Sequence, residues 1–145
     1  MLTKRQATDD DVAFLEEVFL RAMRAPITAA RGFWDEANER TQFREQLQLH
    51  HTQIIENDDM NIGFLMTPER DHDIQLHTIC IVPEMQGRGF GSAIISELLG
   101  EASARKLGAM VSVLKANPAA RSLNERLGFV VTEESTHHHH MRLVS

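Results

Sequence analysis

Apolar residues recur at two different periods along this chain, and the places where the period changes mark its elements. Val12, Leu15, Val18, Phe19, Ala22 and Met23 come at steps of three and four, which lays one apolar stripe along a helix. Thr8 followed by Asp9, Asp10 and Asp11 makes an N-cap with an acidic first turn, and Pro26 interrupts the pattern, so the spacing predicts a helix ending near Arg24. A second helical pattern runs from Asp35 to Leu47, where Ala37, Phe43 and Leu47 form a thin stripe that predicts a half-covered helix. Ile94, Ile95, Leu98, Leu99 and Ala102 predict a third helix, from about Gly91 to a cap at Gly108. Asn117-Pro118 opens a fourth, with proline in the first turn where its missing N–H costs nothing, and Gly128 ends it.

The remaining apolar runs are short and read as strands. Leu2 to Gln6 is an edge strand, and Thr52 to Glu56 with Met60 to Met66 flank Asn57-Asp58-Asp59 as an antiparallel hairpin. Pro68 to Asp73 is a polar break, after which Ile74 to Val82 predicts one continuous strand stopped by Pro83. Ala109 to Leu114, Phe129 to Val131 and a run through Met141 and Leu143 complete the set. This order predicts an α+β fold, a mixed sheet flanked by helices. Hairpins in its first half rule out a doubly wound nucleotide fold.

A chain of 145 residues, 42% hydrophobic and 25% charged, suits one domain over residues 1–145. The net charge of −6 argues against a nucleic-acid partner and suits a cationic substrate. One cysteine allows no internal disulfide, and no apolar run nears the roughly 20 residues of a membrane span, so the expected setting is cytoplasmic, with no membrane partner.

The densest chemical signal lies where the Ile74 to Val82 strand ends. Gln86-Gly87-Arg88-Gly89-Phe90-Gly91-Ser92 joins a strand to a helix with three glycines, whose amides can turn toward one point beside the helix N-terminus. No lysine stands between Gly91 and Ser92, which excludes a Walker loop, and the spacing Gly-x-Gly-x-Gly differs from a dinucleotide fingerprint. It does match Gln/Arg-x-x-Gly-x-Gly/Ala. With Asn117-Pro118-Ala119-Ala120-Arg121-Ser122-Leu123-Asn124-Glu125-Arg126-Leu127-Gly128-Phe129, the chain resembles the GNAT superfamily of acetyl-CoA-dependent N-acetyltransferases. The order of elements is that of the GNAT fold.

The resemblance implies acetyl-CoA as cosubstrate, a small-molecule or peptide amine as acceptor, and room for a homodimer. It assigns the phosphates to Gln86, Gly87, Arg88, Gly89, Phe90, Gly91 and Ser92, and the pantetheine arm to the backbone of Ile81 and Val82 with Asn117 and Ala120. It further makes the segment around Phe33, Trp34 and Phe43, with Asp35, Glu36 and Glu39, a lip over the acceptor. His77 corresponds to a proton-relaying histidine of the arylalkylamine branch; the alternative is a structural strand histidine. Asn124 stands where the family usually has tyrosine, and the chain contains no tyrosine at all. Asparagine cannot be a general acid, which keeps a non-catalytic acyl-CoA-binding module in play. The run His137 to His140 suggests a metal-binding protein more weakly, because strand alternation divides it between two faces.

Overall fold

The computed structural model describes residues 1–143. Its elements are β1 Leu2–Gln6, α1 Val12–Arg31, α2 Glu36–Gln46, β2 Thr52–Asn57, β3 Met60–Met66, the two-residue β4 Glu69–Arg70, β5 Asp73–Leu76, β6 Thr78–Ile81, α3 Phe90–Ala104, β7 Gly108–Leu114, α4 Pro118–Arg126, β8 Val130–Glu134 and β9 His138–Leu143. They form two sheets, an antiparallel β1-β2-β3-β6 and a mixed β4-β5-β7-β9-β8 in which β5 and β7 run parallel. Consecutive residues Ile54 and Ile55 are both fully buried, as they must be where helices cover both faces of a sheet. α1 packs on β3, β6 and β7, and α3 also packs on β6 and β7.

Three expectations are corrected. α1 does not stop near Arg24 but passes through Pro26 to Arg31, where Gly32 caps it in the left-handed region (φ 83°) and donates to Thr28 O at 2.7 Å. Burial of Ile27 in the extra turn favours continuation, and Pro26 lines an open cleft where solvent can reach the carbonyl its missing N–H leaves unbonded. Gly108 does not cap α3. Lys106 takes the left-handed turn (φ 60°), while Gly108 begins β7 at a place where a β-carbon would come 2.4 Å from Asp73 Oδ1. The buried Asp73 accepts from both Arg142 Nη1 and Nη2 at 2.7 and 2.9 Å, tying β9 to β5 beside that glycine.

The third correction concerns Ile74 to Val82, which is two strands broken at His77. The first half, β5, pairs with β7 in parallel from Asp73↔Gly108 to Leu76↔Val111, and the second, β6, pairs with β3 from Thr78↔Met66 to Ile81↔Gly63. At the break, Met66 faces both Thr78, its register partner, and the His77 N–H, which donates to Met66 O at 3.1 Å. The extra residue is a β-bulge, which bends its strand. Beyond it β6 leaves β7, and the two sheets splay apart.

Ion pairs fix the helices to this frame. Glu16 of α1 is buried and accepts from Arg40 Nη1 at 2.5 Å and from Arg44 of α2; burial works against its charge, yet the two guanidiniums hold its carboxyl below the usual range. Asp11 accepts from Arg5 Nη1 and Nη2, both at 3.0 Å, and from the Thr8 N–H at 2.8 Å, which brings its carboxyl down to about 2. A carboxyl depressed in the folded state stabilises the fold above its unfolded value near 3.8 and loses that contribution as pH falls through about 2. Asp11→Asn is therefore expected to cost about 1–2 kcal/mol at neutral pH. Urea melts of the two proteins should converge at acid pH.

Candidate active site

The splay opens a cleft of about 1220 Å³ between β6 and the second half of β7. Its backbone chemistry follows from strand parity. Val82 N–H donates to Ile62 O at 2.8 Å, and β3 pairs with β6 in that same register, so the even residues Cys80 and Val82 turn their polar groups toward β3. The odd residues Ile79 and Ile81 turn theirs into the cleft. The expectation of a Val82 backbone contact is thus corrected, because its amide is committed to β3, whereas the amide that faces the cleft is that of Ile79. Parity along the hairpin partner was the signal that could have found Ile79. Of the Ile81 groups, the carbonyl accepts from Gln86 Nε2 at 2.9 Å, which leaves the Ile81 N–H for a ligand and fixes the loop that follows.

That loop is the glycine turn. Val82 leads into a single 3-10 turn, Pro83–Met85, and Gly87 and Gly89 then adopt φ of 76° and 83°, a region that side chains with a β-carbon rarely enter. β-Carbons built at Gly87, Gly89 or Gly91 meet no atom within 4 Å, so the turn presents bare backbone to open space. Gly89 is the N-cap of the 15-residue α3, whose first amides and positive dipole end point out of the turn. An anionic diester fits here: an uncluttered surface of N–H groups at a helix start, one face of the cleft away. Arg88 is exposed and donates to Glu84 O at 3.3 Å, while Phe90 packs against the core. Ser92 is half-buried on the first turn of α3.

The opposite wall comes from β7 and α4. Asn117 caps α4, its Oδ1 accepting from Ala120 N–H at 3.2 Å, and both residues line the cleft. Asn124, one helical stretch further on, is 4% exposed and lines the cleft with its Oδ1 buried and unpartnered. A buried carbonyl oxygen without a donor costs roughly 1–3 kcal/mol, which a ligand N–H or S–H would recover.

His77 lies at the apex, one residue past the last β5–β7 pair. It is exposed to the cleft, its Nδ1 sits 2.9 Å from Thr78 Oγ1, and partial burial pushes its pKa below 6.5. Ser112, the residue after Val111 on β7, also lines the cleft and lies 2.7 Å from His140 Nδ1. Sequence reasoning missed this pair, since it joins positions 28 residues apart through strand pairing alone. Cys80 is buried and its thiol is pushed up to about 12, so it is no nucleophile.

The lip is placed differently from expectation. Phe43 does line the cleft, but as a core residue 5% exposed, with its ring 4.8 Å from Phe19 and 6.0 Å from Phe64. Phe33 is 61% exposed and outside the cleft, and Trp34, also outside it, packs beneath the Arg24 guanidinium at 5.7 Å. Passage of α1 through Pro26 carries the turn between the helices, with these two rings, past the opening. Asp35 caps α2 through Asn38 N–H, Glu36 pairs with Arg40, and Glu39 is buried against Arg31 at 2.8 Å.

A splayed strand pair, a glycine turn on a helix start and a cleft running between them can be compared with known proteins. A family model described as an acetyltransferase (GNAT) domain matches residues 9–145. The chain belongs to the GNAT acetyltransferase family. No curated protein sequence matches it. Among solved structures it is similar to the PaiA N-acetyltransferase of Thermoplasma acidophilum in complex with coenzyme A, with a TM-score of 0.83 at 16% identity over 100% of this chain and 99% of that one. The ribosomal-protein-S18-alanine N-acetyltransferase of Escherichia coli gives 0.72 at 21% identity over 99% and 93%. A chimera of the spermidine N-acetyltransferase SpeG from Vibrio cholerae and hSSAT gives 0.70 at 20% over 99% and 95%. At such identities the structural likeness speaks for the fold.

Within this GNAT domain the histidine run is divided. His138 and His140 stack on one face of β9 with centroids 6.2 Å apart, His139 lies 2.9 Å from Glu134 Oε1, and His137 precedes the strand. Among the described residues no group of three or more His, Cys, Asp or Glu side chains is placed to hold a metal ion. No described helix is long and apolar enough to cross a membrane.

Proposed function

We propose that this GNAT acetyltransferase moves the acetyl group of acetyl-CoA to a primary amine by direct attack within a ternary complex. The observation that carries the reading is the cleft itself, which starts at the bare glycine turn, runs past the unpaired Ile79 and Ile81 amides, and ends at His77. Four residue steps along the strand take Ile81 to His77, about 13 Å at the usual rise, a length suited to an extended pantetheine-like arm. Gly87, Gly89 and Gly91 hold the phosphates, Asn117 and Ala120 flank the arm, and the Ile79 N–H polarises the acyl carbonyl. His77 takes the proton of the attacking amine. Acetyl-CoA supplies the activated acyl group; the chain supplies orientation, worth several kcal/mol without any covalent step.

Asn124 bears on a second reading. With an amide where the family has a phenol, the site has no side-chain acid for the departing thiolate, so a module that binds acyl-CoA without turnover is the alternative. Thiol release with an amine panel, together with calorimetry of acetyl-CoA, decides between them: binding with amine-dependent release supports the transferase, and binding with none supports the module. Intact-mass analysis should find no acetylated protein during turnover.

A further expectation concerns the thiolate directly. A thiol of pKa about 8.5 leaves readily, so acid assistance adds little. Asn124→Tyr, whose ring has the cleft to enter, should raise kcat by less than about tenfold, most clearly at low pH. A collapse of acetyl-CoA affinity in that variant would show that the wall is built around asparagine.

A further inference from the structure

The acceptor end of the cleft does not carry the charge that the whole chain suggests. The chain holds 21 Asp and Glu against 15 Lys and Arg, yet among the described residues the cleft is lined by a single carboxylate, Glu39. That carboxylate is 5% exposed and already bonded, its Oε1 accepting from Arg31 Nη1 at 2.8 Å. The same cleft is lined by Arg31, His77, His137 and His138, with Arg21 toward the glycine turn, where it pairs with Glu84 at 2.5 Å. Arg31 lies ten residues along α1 from Arg21, about 15 Å at the helical rise, and so marks the far end of the opening.

Arg31 spends only one edge of its guanidinium on Glu39. Its Nε and Nη2 have no hydrogen-bond partner among the described residues, and its side chain is 41% exposed. His138, on the first residue of β9, and His137 just before it complete this corner from the other side of the cleft. A polyamine would meet a site with no carboxylate to spare and an arginine held toward it.

We propose that the acceptor amine carries an anionic group, a carboxylate or a phosphate, which Arg31 binds with help from His137 and His138 while the amine reaches His77. Burial, and then the neighbouring His140, His137 and Arg31, push the His138 pKa down, so its ring meets the ligand neutral and as a hydrogen-bond donor, leaving Arg31 as the main charge. Glu39 holds the guanidinium in place from behind, as a buried partner fixes a binding fork. This inference rests on the transferase reading and names the class of its second substrate.

Matched pairs test it: β-alanine against propylamine, phosphoethanolamine against ethanolamine, and spermidine as the polycation, each followed by thiol release with acetyl-CoA. The acidic member of at least one pair should have a kcat/KM about tenfold or more above its neutral mate, and the two pairs separate carboxylate from phosphate. Arg31→Ala strands Glu39 in a buried position, so the companion variant is Arg31→Met with Glu39→Gln. In both, the ratio within the favoured pair should fall toward one, through KM. Preference for propylamine, ethanolamine or spermidine, or a ratio that survives both variants, would overturn the inference while leaving the transferase standing. If acetyl-CoA binds and no amine releases thiol, the transferase reading fails and takes the inference with it.

Discussion

Gly91→Val is expected to weaken acetyl-CoA binding by at least about 10²-fold while the domain stays folded. Gly91 is the second residue of α3, has no positive φ, and a β-carbon there meets nothing within 4 Å, so valine enters an ordinary helical conformation without a clash. The space it enters is the space above the turn. Its two methyl groups would stand between the ligand and the first amides of α3, and losing two charge-assisted hydrogen bonds costs roughly 3–6 kcal/mol, or about 10² to 10⁴ in affinity. Gly89→Val would be a poorer experiment, because φ is 83° there and a branched side chain adds about 1–3 kcal/mol of backbone strain to any loss of contact. Gly100→Val, in the exposed middle of the same helix with open space around it, is the control. Calorimetry on the three proteins, each checked by circular dichroism, settles the matter: if Gly91→Val binds as the intact protein does, the glycine turn is not the phosphate site.

What could be read in the chain itself was local. The turn at Gln86 to Gly91 was legible because bare backbone at a helix start needs glycine whatever surrounds it. Asn117 and Pro118 were legible as a helix start for the same kind of reason. The misplacements came where distant parts of the chain decide. Pro26 has the sequence signature of a helix end, but the packing of Ile27 and the cap at Gly32 outweigh the lost hydrogen bond. His77 looks like any position in an apolar strand; only the separate partners of β5 and β6, one parallel and one antiparallel, create the bulge that opens the cleft there. A break of one residue also changes which amides face which way, and Val82, given to the ligand by the resemblance, turns its amide to β3 instead.

His77→Ala should lower the amine-dependent rate by about 10²-fold or more at neutral pH. An amine of pKa about 10 is neutral in only about one molecule per thousand at pH 7, a penalty near 4 kcal/mol that a base at the apex can offset by taking the proton as the bond forms. In the tautomer whose Nδ1–H donates to Thr78 Oγ1, 2.9 Å away, the Nε2 lone pair is left to accept it. Partial burial lowers the His77 pKa below 6.5, so the ring is neutral and competent at pH 7 and becomes protonated and inactive as pH falls. The intact protein should therefore gain activity as pH rises through an inflection below 6.5, and the variant should lose that inflection and simply follow the fraction of neutral amine. His77→Gln separates chemistry from structure: its amide can keep the bond to Thr78 but cannot carry a proton. Because His77 is exposed, neither variant should shift the melting midpoint much, and acetyl-CoA affinity should hold. A glutamine variant as fast as the intact protein, with the inflection still present, would make His77 a structural residue of the bulge and move the search for the base to the Ser112–His140 pair.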